Sequence, residues 1–202
     1  MPEFVAITPE RLAATVAEDA VTRPGPVLVA VDGAEAADPL ALARSIVDAV
    51  RERARPAEAV ALRDYIRPAS LRLEHGRTDE MSYRTAWFDY AAVRREVVDA
   101  LRERGRWLPA LWDGEHDRSA RAAVRTAAPG TVLVLAGPML AGRDLAPDVS
   151  VRLVMSEAAL RRRTPTEDHW TIPALLDHAR ENPDPATYSL RWDHPDRPAL
   201  VR

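Results

Sequence analysis

The stretch from Val27 to Arg53, VLVAVDGAEAADPLALARSIVDAVRER, constrains the fold more than any other part of the chain. An apolar run from Val27 to Val31 ends at Asp32-Gly33, crosses a loop of small residues and enters a helix at Asp38-Pro39. A run with no polar face reads as a strand buried on both sides, and strand, loop and helix in this order form a mononucleotide-binding unit. The frame is that of a phosphate-binding loop, G-x-x-x-x-G-K-[S/T], begun at Gly33. Its second Gly, its Lys and its hydroxyl fall on Asp38, Pro39 and Leu40.

These replacements change the chemistry. Such a loop holds phosphate through backbone N–H groups at a helix N-terminus, a Lys on the terminal phosphates and a hydroxyl on Mg²⁺. Pro39 has no N–H, Leu40 offers no metal ligand, and Asp32, Glu35 and Asp38 make the loop acidic. Two like charges 4 Å apart repel by about 1 kcal/mol in water and about 4 kcal/mol at an effective dielectric near 20. A triphosphate should avoid this loop, so no cofactor is expected and MgATP binding is expected to be absent. Asp38-Pro39 reads instead as an ordinary N-cap with Pro at the first helical position, a remodelled anion site being the alternative.

A chain of 202 residues predicts one domain, residues 1–202, with a substantial core. A net charge of −3 and a pI near 6.0 leave no basic footprint for nucleic acid. No apolar run reaches the roughly 18 residues of a membrane span, and no charged leader precedes an apolar segment. The chain has no Cys, which excludes disulfides, thiol nucleophiles and thiolate-bound metals and fits a cytoplasmic protein. All 28 basic residues are Arg, so no Lys can form a Schiff base or reach the phosphate loop from elsewhere. The abundance of Ala, Arg and Pro matches the bias of a high-GC bacterial genome; that bias explains Arg for Lys on a surface but not Pro at 39.

Along the chain, Thr8-Pro9-Glu10 opens an amphipathic helix that ends before the Arg23-Pro24-Gly25-Pro26 turn. A helix from Pro39 to Arg53 is followed by a buried strand from Ala57 to Leu62 and a long Arg-rich loop. Ala91 to Arg102 has helical spacing, Trp107 to Trp112 a short strand, and Thr131 to Leu135 and Val149 to Met155 two further strands. Helices over Glu157 to Arg163 and Ile172 to Arg180 precede a last strand from Tyr188 to Trp192. Strands apolar on both sides and separated by helices predict an α/β fold, a doubly wound parallel sheet of about five strands with helices on both faces.

Four blocks in order resemble the uridine kinase-like branch of the P-loop kinases, especially its short actinobacterial type. They are RLAATVAEDA with VLVAVDGAEAADPLALA, then LRDYIRPASLRLEHGRTDEMSYRTAWFDYAAVRRE, then TVLVLAGPMLAGRDLAPDVSVRLVMSEAALRRR, then WDHPDRPALVR. The second is similar to that group's L-D-D-F-H-R-P segment followed by G-R, Tyr and a Phe-Asp pair. The resemblance implies a P-loop NTPase-like fold and nucleoside phosphorylation, but the departures fall on the chemistry. Where the family has its base after the second strand the chain has Arg63, with Asp64 next; where the family's third strand ends in an acid it has Ala136, before Gly137. The lid arginines match Arg161, Arg162 and Arg163, after which the lid is shortened at Thr164-Pro165-Thr166. Phosphoryl transfer rests on positioning and charge neutralisation. With Lys, hydroxyl, base and acid all replaced, a pseudokinase with a degenerate P-loop (Gly33, Asp38, Pro39, Leu40) is expected.

The acceptor side keeps more of the pattern. The resemblance assigns ligand binding to Arg67, Arg77, Tyr83, Asp89, His116 and Arg118, with Phe88 and Trp112 as aromatic walls. On the residues alone, Phe88 and Trp112 are core, Asp89 is a helix N-cap, His116 is a loop His and Arg161 to Arg163 is a solvated helix end. Asp64, Asp113 and His116 are the candidates for any residual catalysis. The five His residues lack metal-ligand spacing, so no metal is expected, and no G-x-S-x-G is present. The expected function is binding of a small polar ligand, nucleoside-like or anionic, or of a protein partner, without ATP-dependent phosphotransfer. An active or repurposed enzyme using the acceptor cleft is the alternative, and a homodimer or pairing with an intact kinase homologue is the expected form of any protein partnership.

Overall fold

The computed structural model describes residues 3–183 and 185–201. In chain order the elements are β1 (Phe4–Ala6), α1 (Pro9–Thr22), β2 (Val27–Gly33), α2 (Pro39–Glu52), β3 (Ala57–Ala61), α3 (Ala69–Arg72), α4 (Glu80–Thr85), α5 (Tyr90–Val93) and α6 (Ala100–Arg104). The short strands β4 (Arg106–Trp107), β5 (Trp112–Asp113), β6 (Arg118–Ser119) and β7 (Arg125–Thr126) follow. Then come β8 (Val132–Gly137), β9 (Val149–Val154), α7 (Glu157–Arg163), α8 (Thr171–Glu181), β10 (Tyr188–Arg191) and β11 (Ala199–Val201).

The main sheet has seven strands in the order β1-β11-β10-β9-β2-β8-β3. Five of them, from β10 to β3, pair in parallel, as the doubly apolar strands require. The sheet is wider than expected because β11 adds antiparallel to β10 and β1 antiparallel to β11. Side chains alternate across β2: Val27, Val29 and Val31 pack with α1 and α2, while Leu28 and Ala30 pack with Val93, Val97 and Leu101 on the opposite face. Burying each such aliphatic side chain stabilises the fold by about 1.5–3 kcal/mol. The fold class is therefore α/β, with helices on both faces of a mixed sheet.

The caps agree with the residues that form them. Thr8 Oγ1 accepts from Arg11 N at 3.2 Å, and Asp89 Oδ1 accepts from Ala92 N at 2.9 Å. The helix expected over Ala91 to Arg102 begins one residue earlier and is continuous through a π-helical stretch, Arg94–Asp99, that joins α5 to α6. The expected strand from Trp107 to Trp112 does not form as one piece. Pro109 interrupts it, so Trp107 pairs with Arg125 in one ribbon and Trp112 pairs with Ser119 in another. Among the described residues no helix is long and apolar enough to cross a membrane.

Candidate functional site

The loop after β2 closes on itself. Gly33 ends the strand where a Cβ would stand 3.0 Å from the Leu153 Cβ. A turn of 3-10 helix over Glu35–Ala37 follows, in which Ala37 N donates to Ala34 O at 2.8 Å and Asp38 N to Glu35 O at 2.9 Å. Asp38 sits in the left-handed region at φ 51° and caps α2, its Oδ1 accepting from Ala41 N at 3.1 Å. Asn and Asp tolerate that conformation better than other residues with a Cβ. Pro39 then supplies the first helical position without an N–H. Thus the chain's own carboxylate takes the helix N-terminus, where a bound anion would sit. From the far end of the sequence Trp192, buried beyond β10, donates its Nε1–H to Ala37 O at 3.0 Å and fixes the turn.

A cavity of about 190 Å3 lies over this loop, lined by Glu35, Asp38, Arg44, Arg63 and Gly137 among others. Burial pushes the Glu35 carboxyl above its ordinary range, with nearby Arg63 opposing and Asp38 reinforcing. At the end of the next strand Gly137 is obligatory in another sense: a Cβ there would lie 2.4 Å from the Leu62 Cβ. Asp32, at the end of β2, does not face this loop. Its carboxylate accepts from Leu140 N at 3.1 Å and Ala141 N at 3.2 Å, holding the loop after β8, and desolvation raises its pKa against those hydrogen bonds. His178 holds the same loop through Ala141 O at 3.0 Å.

The acceptor side is built by two extended segments that cross-pair. Ile66 bridges Phe88, Arg67 N donates to Trp87 O at 2.9 Å, and Asp89 N donates to Tyr65 O at 2.8 Å. Beside them the β5–β6 hairpin is tied down by Asp117, which accepts from Ala69 N at 2.8 Å and Trp112 Nε1 at 3.1 Å. These segments border two cavities that share Arg63, Ile66 and Trp87. The first, of about 460 Å3, lies against Tyr83, Phe88, Trp170 and Arg163. The second, of about 750 Å3, lies against Asp64, Arg72, Trp112 and Asp113. Tyr83, Trp87 and Trp170 form a ring cluster with centroids 5.4–5.6 Å apart, in the edge-to-face or tilted arrangement that aromatic quadrupoles favour.

The sequence-derived residues divide among these features. Tyr83 is buried and lines the smaller cavity; Asp64 is half-buried and lines the larger, its carboxyl pushed up by burial against nearby Arg63. Arg67 and Asp89 form a pair at 4.0 Å, and Asp89 is also the α5 cap. Asp113, His116 and Arg118 come together on the hairpin: His116 Nδ1 is 2.9 Å and Arg118 Nε 3.5 Å from Asp113 Oδ2. Hydrogen bonds from the His116 backbone and side chain hold the Asp113 carboxyl below its ordinary range. Arg77 is exposed in the turn before α4 and lines neither cavity. Phe88 is core, whereas Trp112 is half-buried with a face on the cleft. Trp87, Trp170 and Arg72 line the cleft without having been expected there, and Glu35, expected only as an acid of the loop, also lines the smaller cavity. Trp87 adjoins Phe88 in sequence, the one local signal that a ring stood there.

No family model matches the sequence, and no curated protein is similar enough to match it. Solved structures do match. A possible uridine kinase from Bacillus stearothermophilus superposes with a TM-score of 0.69 at 15% identity, over 87% of this chain and 91% of its own. A candidate fructose transport system kinase from Silicibacter sp. TM1040 gives 0.67 at 24% identity, over 88% of this chain and 98% of its own. With its parallel sheet, its loop from β2 into α2 and its match to both proteins over most of their length, the chain has the P-loop kinase-like fold.

Proposed function

We propose that this protein is a kinase-fold binding protein: it does not use ATP for phosphotransfer, and it binds a small polar ligand in the cleft bordered by Arg63, Ile66 and Trp87. One observation carries the reading. The amides of Ala37, Asp38, Ala41 and Leu42, four of the groups from which a phosphate cradle would be made, are committed to Ala34, Glu35 and Asp38 within the same segment. A triphosphate would have to break these bonds, displace the Asp38 carboxylate from the helix end and do so with no Lys in the chain. The cleft, in contrast, offers half-buried indole faces beside Arg and Asp, the combination that orients a small polar molecule while covering its apolar part.

Calorimetry with MgATP at about 1 mM, a level equivalent to only about −4 kcal/mol of binding, should show no heat of association. A melting screen across nucleosides, nucleotides and sugar phosphates should find a stabilising ligand, since one at 100 times its dissociation constant adds about 2.7 kcal/mol. Micromolar, magnesium-dependent ATP binding would overturn the reading.

A second reading, a repurposed enzyme, is favoured by Asp64. Its half-burial and raised pKa in the larger cavity are the features of a carboxyl able to exchange a proton. Conversion of a ligand found by the screen, abolished in Asp64→Asn with binding retained, would establish it.

A further inference from the structure

Two arginines of the larger cavity stand near carboxylates without closing an ion pair among the described residues: Arg63 near Asp64 and Glu35, Arg72 near Asp117. Arg63, in the 3-10 turn Leu62–Tyr65, lines the cavity over the loop and both cavities of the cleft. Arg72, at the end of α3, has its Cζ 5.6 Å from the Trp87 ring centroid and lines the larger cavity with Arg63. Its Nε is buried with no hydrogen-bond partner among the described residues. Neither guanidinium has a carboxylate oxygen within 4.0 Å among the described residues.

The acids of that cavity close no ion pair with either arginine among the described residues. Asp113 takes His116, Arg118 and the backbone N–H groups of Glu115 and His116. Asp64 is half-buried, and its carboxyl, raised by burial and lowered by nearby Arg63, closes no ion pair within 4.0 Å among the described residues. Glu115 lines the cavity from an exposed position. A guanidinium stacked on an indole and stripped of partners on one edge is preorganised for a planar anion, and its strongest hydrogen bonds go to carboxylate or phosphate oxygens. A neutral hydroxylated molecule would give the buried Arg72 Nε no charged partner and would not use the exposed charge of Arg63.

We infer that the cleft takes a small ligand bearing an anionic group, phosphate or carboxylate, held by Arg63 and Arg72 while the indole faces of Trp87 and Trp112 cover its body. This rests on the proposal above that the cleft is the ligand site, and it adds the class of ligand. It also separates this chain from a protein whose cleft serves a neutral hydroxyl acceptor.

The test is calorimetric titration of the full chain at low salt with matched probes: uridine and uridine 5′-monophosphate, then glucose, glucose 6-phosphate and glucuronate. At least one anionic member should bind about tenfold or more tightly than its neutral partner, as expected for hydrogen bonds to a charged group. Arg63→Gln and Arg72→Gln should each remove most of that preference, Arg63→Lys should recover part of it, and the exposed Arg11→Gln on α1 should leave it intact. Preference for the phosphates over glucuronate would assign phosphate, and the reverse carboxylate. Melting curves without ligand check that each variant folds; Arg63→Gln carries the test alone if Arg72→Gln does not fold. Equal binding of neutral and anionic partners, or an anion preference untouched by Arg63→Gln, overturns this inference and leaves the cleft as the site. Binding by none of the probes overturns both.

Discussion

The loop between β2 and α2 and the turn after β3 meet at one cavity of about 190 Å3, yet they treat their polar groups in opposite ways. The loop bonds to itself. The N–H groups of Ala37, Asp38, Ala41 and Leu42 bond within it, Asp38 occupies the helix end, and Trp192, just past β10 and 155 positions from Ala37, closes it. The turn and the segments it joins are open: Arg63 and Arg72 lack carboxylate partners among the described residues, and two indoles present a face to a cavity. Polar groups already bonded to one another have less to offer a ligand, whereas an undersatisfied buried group carries a standing cost that a ligand can relieve. The difference is what favours the proposed cleft over the helix end as the ligand site, although Ala34, Glu35 and Ala36 of the loop also border the smaller cavity.

The largest expected effect tests how firmly the loop is closed. Trp192→Ala removes a buried ring and the hydrogen bond to Ala37 O, and truncations of this kind cost about 3–5 kcal/mol. Urea unfolding should show a loss of that size; a variant as stable as the wild type would mean that the loop is not held by the segment after β10.

Next in size is a pH effect on the loop after β8, where the internal hydrogen bonds depend on one protonation state. His178 donates from Nε2 to Ala141 O and accepts at Nδ1 from the Asn182 amide 3.4 Å away, so it must be neutral. Burial, then Arg143 and Arg84, lower its pKa from 6.5 to about 4. The unfolded chain takes up the proton near 6.5 and the native chain only near 4, so this stabilisation is complete above 6.5 and is lost as pH falls between the two values. The loss should reach about 2–3 kcal/mol. Unfolding midpoints across that window should fall less steeply in His178→Gln than in the wild type; equal slopes would remove His178 from the account.

A smaller loss is expected from Asp38→Ala, which deletes the α2 cap and leaves Ala in the left-handed region, together about 1–2 kcal/mol. On the proposal that the cleft and not the helix end is the ligand site, Asp38→Ala should leave the affinity of any cleft ligand unchanged. A strong change in affinity would place the ligand on the loop and invert the comparison.

What could be read from the sequence follows the range of the forces involved. The parallel core was legible because β2 and β8 are apolar at every alternate position on both faces, and Pro and Gly mark where they begin. The antiparallel strands β1 and β11 were not: three residues each, none of them buried, carry no period. Asp38-Pro39 was legible as a cap because capping is local. The clamp by Trp192 was not, because it joins residues far apart in sequence. The same holds for the cleft. Asp113, His116 and Arg118 come together within one hairpin, but the wall made by Trp87 and Trp170 exists only because α4 packs on α8.

The smallest expected effect separates two neighbouring arginines. The family pattern assigns ligand binding to Arg77, where loss of a hydrogen bond to a charged group would cost about 1.5–3 kcal/mol. The structure places Arg77 in the solvent-exposed turn before α4, outside both cavities, while Arg72, five positions earlier, stacks on Trp87 inside the cleft. An exposed side chain with no buried partner contributes within about 0.5 kcal/mol in either direction. Arg77→Ala should therefore change neither stability nor ligand affinity by more than that, while Arg72→Gln weakens the anionic ligand. Titrating both variants with the tightest probe decides between pattern and geometry. Weakening by Arg77→Ala equal to that of Arg72→Gln would show that the turn before α4 folds over the bound ligand, and the open side of the comparison would then extend across a longer stretch of the chain than the two cavities mark.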